Sequence, residues 1–175
     1  VALDGERLAF RPYGYTNFHI DLTGRLTPGT HTLSVIARNA EQPNSRWYSG
    51  AGIYRDVTYI ELPACHIAPD GEYVHTEKTP DGWIMHVETE IVSICGSCMP
   101  IHRLLDADGR CVAQGEKTLR VADPHLWNGE DPYVYMLETS FGGEILRQNV
   151  GFRTLRFDPD NGLFLNGKHI KMHGV

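Results

Sequence analysis

The dominant pattern along the chain is an alternation of apolar and polar residues over short segments that end in Gly, Pro, Asn or Asp. Such alternation predicts β-strands, because successive side chains on a strand point to opposite faces. No window keeps apolar residues at the i, i+3, i+4, i+7 spacing of a helix for three turns. The sequence therefore predicts an all-β protein.

The clearest strands cover 31–38, 83–91 and 133–141. Each is expected to bury one face in a core, because its apolar residues share one parity. The inward-facing residues predicted for the three strands are Leu33, Val35, Ala37, Trp83, Met85, Val87, Ile91, Tyr133, Tyr135, Leu137 and Phe141.

The region between 65 and 157 holds seven candidate strands, separated by turn-forming residues. Asp-Ala-Asp-Gly at 106–109 and Gly-Gly at 142–143 are typical of hairpin turns. Short strands at this spacing predict an immunoglobulin-like β-sandwich. The candidate strands are 65–68 or 72–77, 83–93, 100–106, 109–114, 117–122, 133–141 and 144–152.

The flanking regions differ from this sandwich. Residues 1–62 supply about three strands, the last at 53–62, which are too few to close a sandwich. Pro63 is a reasonable boundary, because proline cannot donate to a strand ladder. A turn cluster at 158–162 precedes an apolar hairpin at 163–172, whose turn is Asn166-Gly167.

Composition excludes some function classes. The formal net charge is −6 and the 16 Lys and Arg residues are scattered, which argues against nucleic acid as a partner. No apolar run approaches the roughly 20 residues of a membrane helix, so we expect no membrane partner. The four cysteines are too few and too irregularly spaced for a disulfide scaffold, so reduced thiols are expected.

Three groups of motifs follow one another along the chain. The first group comprises Gly-Tyr-Thr-Asn-Phe at 14–18, Ile-Asp-Leu-Thr at 20–23, Pro-Gly at 28–29 and Asn-Ser-Arg-Trp-Tyr-Ser-Gly-Ala-Gly-Ile-Tyr-Arg-Asp-Val at 44–57. The second comprises Pro-His-Leu-Trp at 124–127, Asp-Pro-Tyr-Val-Tyr at 131–135 and Val-Gly-Phe-Arg at 150–153. The third comprises Gly-Leu-Phe-Leu-Asn-Gly-Lys at 162–168 and Met-His-Gly-Val at 172–175. The residues of these motifs and their order along the chain resemble those of glycoside hydrolase family 2, of β-galactosidase or β-glucuronidase type.

The resemblance implies a fold and a division of the chain. By this likeness, 1–62 is the C-terminal part of the galactose-binding-like, sugar-binding jelly-roll β-sandwich. Residues 63–157 are the immunoglobulin-like β-sandwich, and 158–175 are the entry hairpin of the catalytic (β/α)8 barrel.

The resemblance also implies a function. Retaining glycosidases use two carboxylates about 5 Å apart, which in this family are glutamates of the barrel. We therefore expect a non-catalytic accessory region, inactive alone, of a parent enzyme that hydrolyses terminal β-glycosides, with no cofactor. Its expected partners are the carbohydrate substrate of the parent, and flanking domains or a second copy. The parent is expected to be a soluble cytoplasmic or periplasmic bacterial enzyme, with β-galactosidase favoured.

One loop is expected to contact substrate. By the resemblance, Arg46 and Trp47 approach the barrel mouth, where an aromatic ring can stack on a sugar and a guanidinium can donate to hydroxyls. The alternative is that Trp47 and Tyr48 plug the end of the sandwich while Arg46 pairs with an acid such as Asp56.

Other side chains could in principle act in catalysis or bind a metal, but their sequence context favours structural roles. Glu88 and Glu90 alternate with the core residues of their strand, so they should face solvent and stay ionised. Cys95-Gly-Ser-Cys98 has the spacing of half a zinc site, which Cys65 and Cys111 would have to complete, so a turn is favoured. His169 and His173 lie too far apart on a strand to share a metal. Residues 158–162 lack the distal glutamate of a calcium loop. Trp83 and Trp127 favour core positions over binding platforms.

Two rival functions remain open at this point. One is a stand-alone carbohydrate-binding β-sandwich module, and the other is an immunoglobulin-like structural or adhesion domain. The apolar hairpin at 163–172 distinguishes them from an accessory region, since its residues need a partner surface that an independent module would not require.

Overall fold

The computed structural model describes residues 1–40, 50–93, 98–172 and 174. These residues form 13 β-strands and no helix, so the all-β prediction is confirmed. Within the same ranges there is no helix of the length and apolarity that crossing a membrane requires. The chain divides into two compact units, Val1–Ile60 and Glu61–Val175, and each is described by itself.

The first unit contains a small three-stranded sheet. Strands β1 (Ala2–Leu3), β2 (Glu6–Arg7) and β3 (Leu33–Ser34) are arranged in the order β2-β1-β3, with antiparallel pairing throughout. The β1–β2 turn is Asp4-Gly5, with φ values of 49° and 87°. Asp-Gly is the favoured pair for a turn in which both central residues have positive φ.

Asp4 also anchors the approach to β3. Its Oδ1 accepts a hydrogen bond from the Thr32 amide at 2.7 Å, and its Oδ2 lies 2.6 Å from Nδ1 of His31. The other ring nitrogen, Nε2, lies 2.8 Å from the Thr27 carbonyl oxygen. The Thr32 amide and His31 lower the pKa of Asp4, while Asp4 and the Thr27 carbonyl raise the pKa of His31. This arrangement favours an imidazolium that donates from both nitrogens.

Two strand predictions in this unit are wrong. The predicted strand 31–38 is reduced to Leu33–Ser34, and its expected core residues Leu33 and Val35 are exposed. The predicted strand 53–62 has no ladder partner among the described residues. The physical reason is that alternation shows which side chains share one face of a strand. It cannot supply the neighbouring strands and the second layer that bury such a face.

The second unit contains a two-sheet sandwich of seven strands. One sheet has the order β4-β5-β8 and comprises β4 (His66–Thr79), β5 (Gly82–Val92) and β8 (Thr118–Val121). The other has the order β10-β9-β6-β7 and comprises β6 (Ile101–Leu105), β7 (Cys111–Gly115), β9 (Tyr135–Phe141) and β10 (Glu144–Val150). All neighbouring pairs in both sheets are antiparallel. The seven predicted strands are thus confirmed, and the alternatives 65–68 and 72–77 are two parts of the single strand β4.

Alternate side chains of β5 and β9 form the centre of the sandwich core. Trp83, Met85 and Val87 are buried along β5, and Tyr135 and Leu137 are buried along β9. These five were predicted as inward-facing, and Phe141 is buried with them. The core therefore follows the alternation that the sequence displays.

Phe152 completes this core between strands. It is fully buried and packs edge-on against Trp83 at 5.8 Å and against Tyr135 at 5.3 Å between ring centroids. Edge-to-face packing of this kind adds to the free energy gained by removing the rings from water. Phe152 also forms an isolated parallel bridge with Leu126.

A third sheet follows the sandwich. Strands β11 (Leu155–Asp158), β12 (Gly162–Leu165) and β13 (Lys168–Ile170) pair antiparallel in chain order. Asn166 and Gly167, with φ values of 50° and 80°, form the β12–β13 turn. The predicted hairpin is therefore confirmed, and β11 pairs with it as a third strand.

We expect Phe152→Ala to destabilise the second unit by about 3–5 kcal/mol, because it removes a fully buried ring and leaves a cavity. Urea unfolding followed by the fluorescence of the buried Trp83 measures this loss. Phe157→Ala is the matched control, because Phe157 is 74% exposed and its loss should change stability by about 0.5 kcal/mol or less. Equal unfolding midpoints for the two variants would contradict the assigned core.

Candidate functional site

The residues predicted to contact substrate, Arg46 and Trp47, lie outside the described residues, as does Tyr48. Asp56, the acid considered as a partner for Arg46, is described and exposed. The role of Arg46 and Trp47 therefore stays a prediction.

The strand carboxylates Glu88 and Glu90 are exposed on β5, as expected from the alternation. Glu88 lies opposite Tyr73 of β4 and lines an open groove with Glu116 and Lys117. An exposed carboxylate lacks the desolvation that lets a glycosidase acid hold its proton near neutral pH. The exposure of Glu88 and Glu90 therefore favours the structural interpretation of this pair.

Among the described residues, the candidate metal ligands are not brought together. Cys98 and Cys111 are free thiols, Cys65 lies beside Ser93 with its Sγ 3.6 Å from the hydroxyl oxygen, and Cys95 lies outside the described residues. His169 packs its ring edge against Phe164, while His173 is not described. Across the ranges that the structure describes, no group of three or more His, Cys, Asp or Glu residues is placed to hold a metal ion.

Asp158 forms a turn. Its Oδ1 accepts hydrogen bonds from the Asp160 and Asn161 amides and from the Asn161 side chain, at 3.1, 2.9 and 3.0 Å. Its Oδ2 accepts from Arg156 at 2.6 Å. The Arg156 guanidinium, followed by the Asn161 donors, lowers the pKa of Asp158 to about 2. Because the carboxylate oxygens are already occupied by protein donors, the plain-turn interpretation of 158–162 is confirmed.

The second and third motif groups come together at a junction between the sandwich and the third sheet. We call it the junction, and it consists of Trp127, Gly151, Phe152, Arg153 and Asn166. The Trp127 amide donates to the Phe152 carbonyl at 2.9 Å, which joins the loop after Pro124 to the segment after β10. Residues from the second and third motif groups, far apart in sequence, therefore meet in one place.

Asn166 holds the hairpin turn against both of its neighbours. Its backbone amide donates to the Thr154 carbonyl at 2.9 Å, and its Oδ1 accepts from the Thr154 amide at 2.9 Å. Its Nδ2 donates to the Trp127 carbonyl at 3.0 Å. Asparagine tolerates the positive φ of this turn and supplies both a donor and an acceptor, which glycine cannot do.

The Trp127 side chain packs against the backbone at Gly151 and against the Arg153 guanidinium. A Cβ added at Gly151 would lie 3.1 Å from Cβ of Trp127, so glycine permits this close approach. On the ring itself, the Arg153 guanidinium carbon lies 4.9 Å from the centroid. Trp127 is half-buried and is not among the buried core residues of the described ranges, so the predicted core position is wrong and the ring instead packs at the junction.

The loop that carries Trp127 is braced by its own side chains. The His125 ring stacks on Tyr133 at 4.2 Å, and its Nε2 lies 2.5 Å from Oδ2 of Asp131. The His125 amide donates to the Tyr135 hydroxyl at 2.8 Å. Since Tyr135 belongs to the sandwich core, the loop position is fixed by the core.

Beyond the junction, the third sheet presents an apolar face. Phe157 pairs with Leu163, which pairs with Ile170, so these residues share one face of the sheet with Leu155. Phe157 is 74% exposed and Leu155 is 50% exposed. We call Leu155, Phe157, Leu163 and Ile170 the apolar ledge.

The junction was only partly visible in the sequence. Asn166-Gly167 signalled a turn, and the motifs marked Trp127 and Phe152, but nothing in the spacing showed that the Asn166 amide would reach the Trp127 carbonyl. A side-chain contact between residues 39 positions apart depends on the whole fold. The five residues of the junction include no nucleophile and no carboxylic acid.

Comparisons with known proteins find relatives that are β-galactosidases and β-glucuronidases. It is 35% identical to a β-galactosidase of Bacteroides ovatus, with 100% of this chain and 23% of the relative covered. It is 46% identical to a β-glucuronidase of Bacteroides fragilis, with 93% of this chain and 28% of the relative covered. No protein-family model matches the sequence.

A solved structure gives the same result for the fold. A glycosyl hydrolase family 2 member from Bacteroides cellulosilyticus matches 99% of this chain and 27% of its own, with a TM-score of 0.79 and 26% identity. The chain thus spans about a quarter of the length of these relatives. The similarities in sequence and fold, together with the motifs that meet at the junction, show that the chain belongs to glycoside hydrolase family 2.

Proposed function

We propose that the chain is a non-catalytic accessory region of a retaining β-glycosidase, β-galactosidase-like in its substrate, that hydrolyses terminal β-glycosides. Its part is to hold the first hairpin of the catalytic domain in a fixed position. The observation that carries the proposal is the Asn166 side chain, which joins the hairpin turn both to Thr154 and to the Trp127 carbonyl.

We propose the domain division implied by the sequence: 1–62 as the end of a sugar-binding jelly roll, 63–157 as the immunoglobulin-like sandwich and 158–175 as the barrel-entry hairpin. Strand β11 (Leu155–Asp158) crosses the second boundary. One strand would therefore join the sandwich to the hairpin, so the position of the sandwich would determine the position of the hairpin.

The carboxylates of the described residues support the non-catalytic assignment. A retaining glycosidase needs two carboxylates about 5 Å apart on either side of a bound sugar. Glu88 and Glu90 are exposed on a strand, and the Glu72 side chain is 2% exposed within the sandwich. Neither setting provides a paired acid and nucleophile that a sugar could reach.

The partners follow from the exposed apolar residues. The apolar ledge would pack on a flanking barrel domain or, in isolation, on a second copy, because a contiguous exposed apolar surface favours association. The first unit also exposes large apolar residues, among them Phe10, Tyr15, Ile36 and Tyr54. The carbohydrate would be bound by the parent enzyme, and the bacterial relatives favour a cytoplasmic or periplasmic location in a bacterium.

Asn166→Gly in the full-length parent should lower kcat/KM by about tenfold, because a misplacement of about 1 Å near catalytic groups can cost on the order of 100-fold. Glycine keeps the positive φ and removes both side-chain hydrogen bonds, which together contribute about 1–3 kcal/mol. Steady-state kinetics with a nitrophenyl β-galactoside measure the effect. Lys168→Ala removes an exposed side chain of the same hairpin and should leave the kinetics unchanged. Equal kinetics for the two variants would contradict a positioning role for Asn166.

The chain alone should not hydrolyse nitrophenyl β-galactoside or β-glucuronide, because the carboxylates that the structure describes offer no suitable pair. The release of nitrophenol above the uncatalysed rate is the measurement, with the full-length parent as positive control. Turnover by the chain that Glu88→Gln abolishes would reverse the dismissal of the strand carboxylates.

Arg46→Ala in the full-length parent should raise KM or lower kcat/KM by about 10- to 100-fold, the range for a lost hydrogen bond from a charged donor. Arg46→Lys should recover only part of this loss, because lysine lacks the planar fork of donors. Arg120→Ala, at an exposed position of β8, is the control. Wild-type kinetics for Arg46→Ala would exclude Arg46 from the substrate site.

A further inference from the structure

A β-bulge in β4 turns one carboxylate into the sandwich. The pairing of β4 with β5 shifts register between Ile67 and Glu72, and Asp70 within the bulge has a φ of 57°. A Cβ on Gly71 would lie 2.7 Å from the Ala68 carbonyl oxygen, so the bulge requires glycine there. Bulges commonly redirect a side chain, and this one leaves the Glu72 side chain 2% exposed.

Glu72 contacts residues of both sheets. From its own sheet, the Thr89 hydroxyl of β5 lies 3.5 Å from Oε2. From the opposite sheet, Nε2 of Gln148 on β10 donates to Oε1 at 2.6 Å. A buried carboxylate is costly unless hydrogen bonds and charges compensate for lost water, so the inter-sheet contacts are what make this position tolerable.

His102 of β6 lies beside this carboxylate and is itself fully buried. Its Nδ1 lies 2.8 Å from the Thr139 hydroxyl of β9 and 3.8 Å from Oε2 of Glu72. Its Nε2 is buried and makes no hydrogen bond of good geometry, and the nearby Glu116 carbonyl favours the charged ring only weakly compared with burial. A neutral imidazole can leave Nε2 as an unprotonated acceptor, whereas an imidazolium would bury a positive charge and a second N–H for which the structure shows no well-aligned acceptor.

We propose that Glu72, His102, Thr139 and Gln148 form a proton-sensitive lock between the two sheets, which acidification weakens by charging His102 inside the core. The four residues come from β4, β6, β9 and β10. The lock therefore spans the sandwich, and its state affects how the sheets pack.

The surroundings of His102 determine whether acidification stabilises or destabilises the sandwich. Burial lowers the pKa of His102 below its usual 6.5, and the Glu72 charge and the Glu116 carbonyl oppose this only in part. Glu72 is the charged side chain that faces the ring; Thr139 and Gln148 are neutral. Because the unfolded chain takes up this proton more readily than the folded one, the stabilisation is present above pH 6.5 and is lost as the pH falls from there towards the folded pKa.

The test is an NMR titration of the histidine ring protons in the full chain, with His102 assigned by its loss in His102→Gln. His102 should titrate below pH 6.5 in the wild type, and still lower in Glu72→Gln, because that variant removes the favourable negative charge. His31 is the internal comparison, since its pKa is raised by Asp4 and Thr27 and Glu72→Gln should leave it unchanged. Titration of His102 at or above pH 6.5 would overturn the proposal.

Urea unfolding of the same proteins gives a second readout. In the wild type, the unfolding equilibrium constant of the sandwich should rise by up to about tenfold for each pH unit below 6.5, the limit for one linked proton. His102→Gln should lose this rise, and an unchanged pH dependence in that variant would also overturn the proposal. If His102→Gln does not fold, the wild-type and Glu72→Gln titrations decide the matter, with His102 assigned through its backbone.

Discussion

The burial of Phe152 is the interaction on which the rest of the second unit depends. Its ring packs between Trp83 of one sheet and Tyr135 of the other, so it contributes to the apolar core that holds the sandwich closed. Its backbone carries the bridge to Leu126 and accepts the Trp127 amide. One residue thus links the hydrophobic centre to the junction, and the position of the third sheet follows from the packing of the core.

The two units contain different kinds of stabilising interaction. The sandwich gains its stability chiefly by removing apolar area from water, and it tolerates a buried polar lock only because the partners are placed on both sheets. The first unit has short strands, and its Asp4–His31 contact is an exposed pair with hydrogen bonds to backbone. Acidification to pH 6 favours the charged His31 that this contact needs, whereas the same change disfavours the neutral His102 of the sandwich.

Much of the sandwich could be predicted from the sequence, because alternation and turn residues report directly on strands with one buried face. Met85 and Leu137, for example, are fully buried where the pattern placed them. The pattern failed for 31–38 and 53–62, where burial depends on neighbouring strands that alternation does not reveal. Asp4-Gly5 is a hairpin signal in the sequence that alternation by itself does not include.

The sites were less predictable than the fold. Thr139 shares the inward parity of Leu137 and Phe141, which could have signalled a buried polar group, but its partner His102 is far away in sequence. Glu72 reaches the core only because of a bulge, and Asn166 reaches Trp127 only in the assembled fold. The expected substrate contacts Arg46 and Trp47 lie outside the described residues, so no geometry bears on them.

The central claim is that this region positions a catalytic domain through the junction and its apolar ledge. Hydroxyl-radical footprinting of Phe157 and of the neighbouring Met172, which are 74% and 76% exposed, tests it most directly. The account predicts strong oxidation of both side chains in this chain at low concentration and protection of both in the full-length parent. Equal oxidation in the two proteins would contradict it, because the ledge would then have no domain to hold.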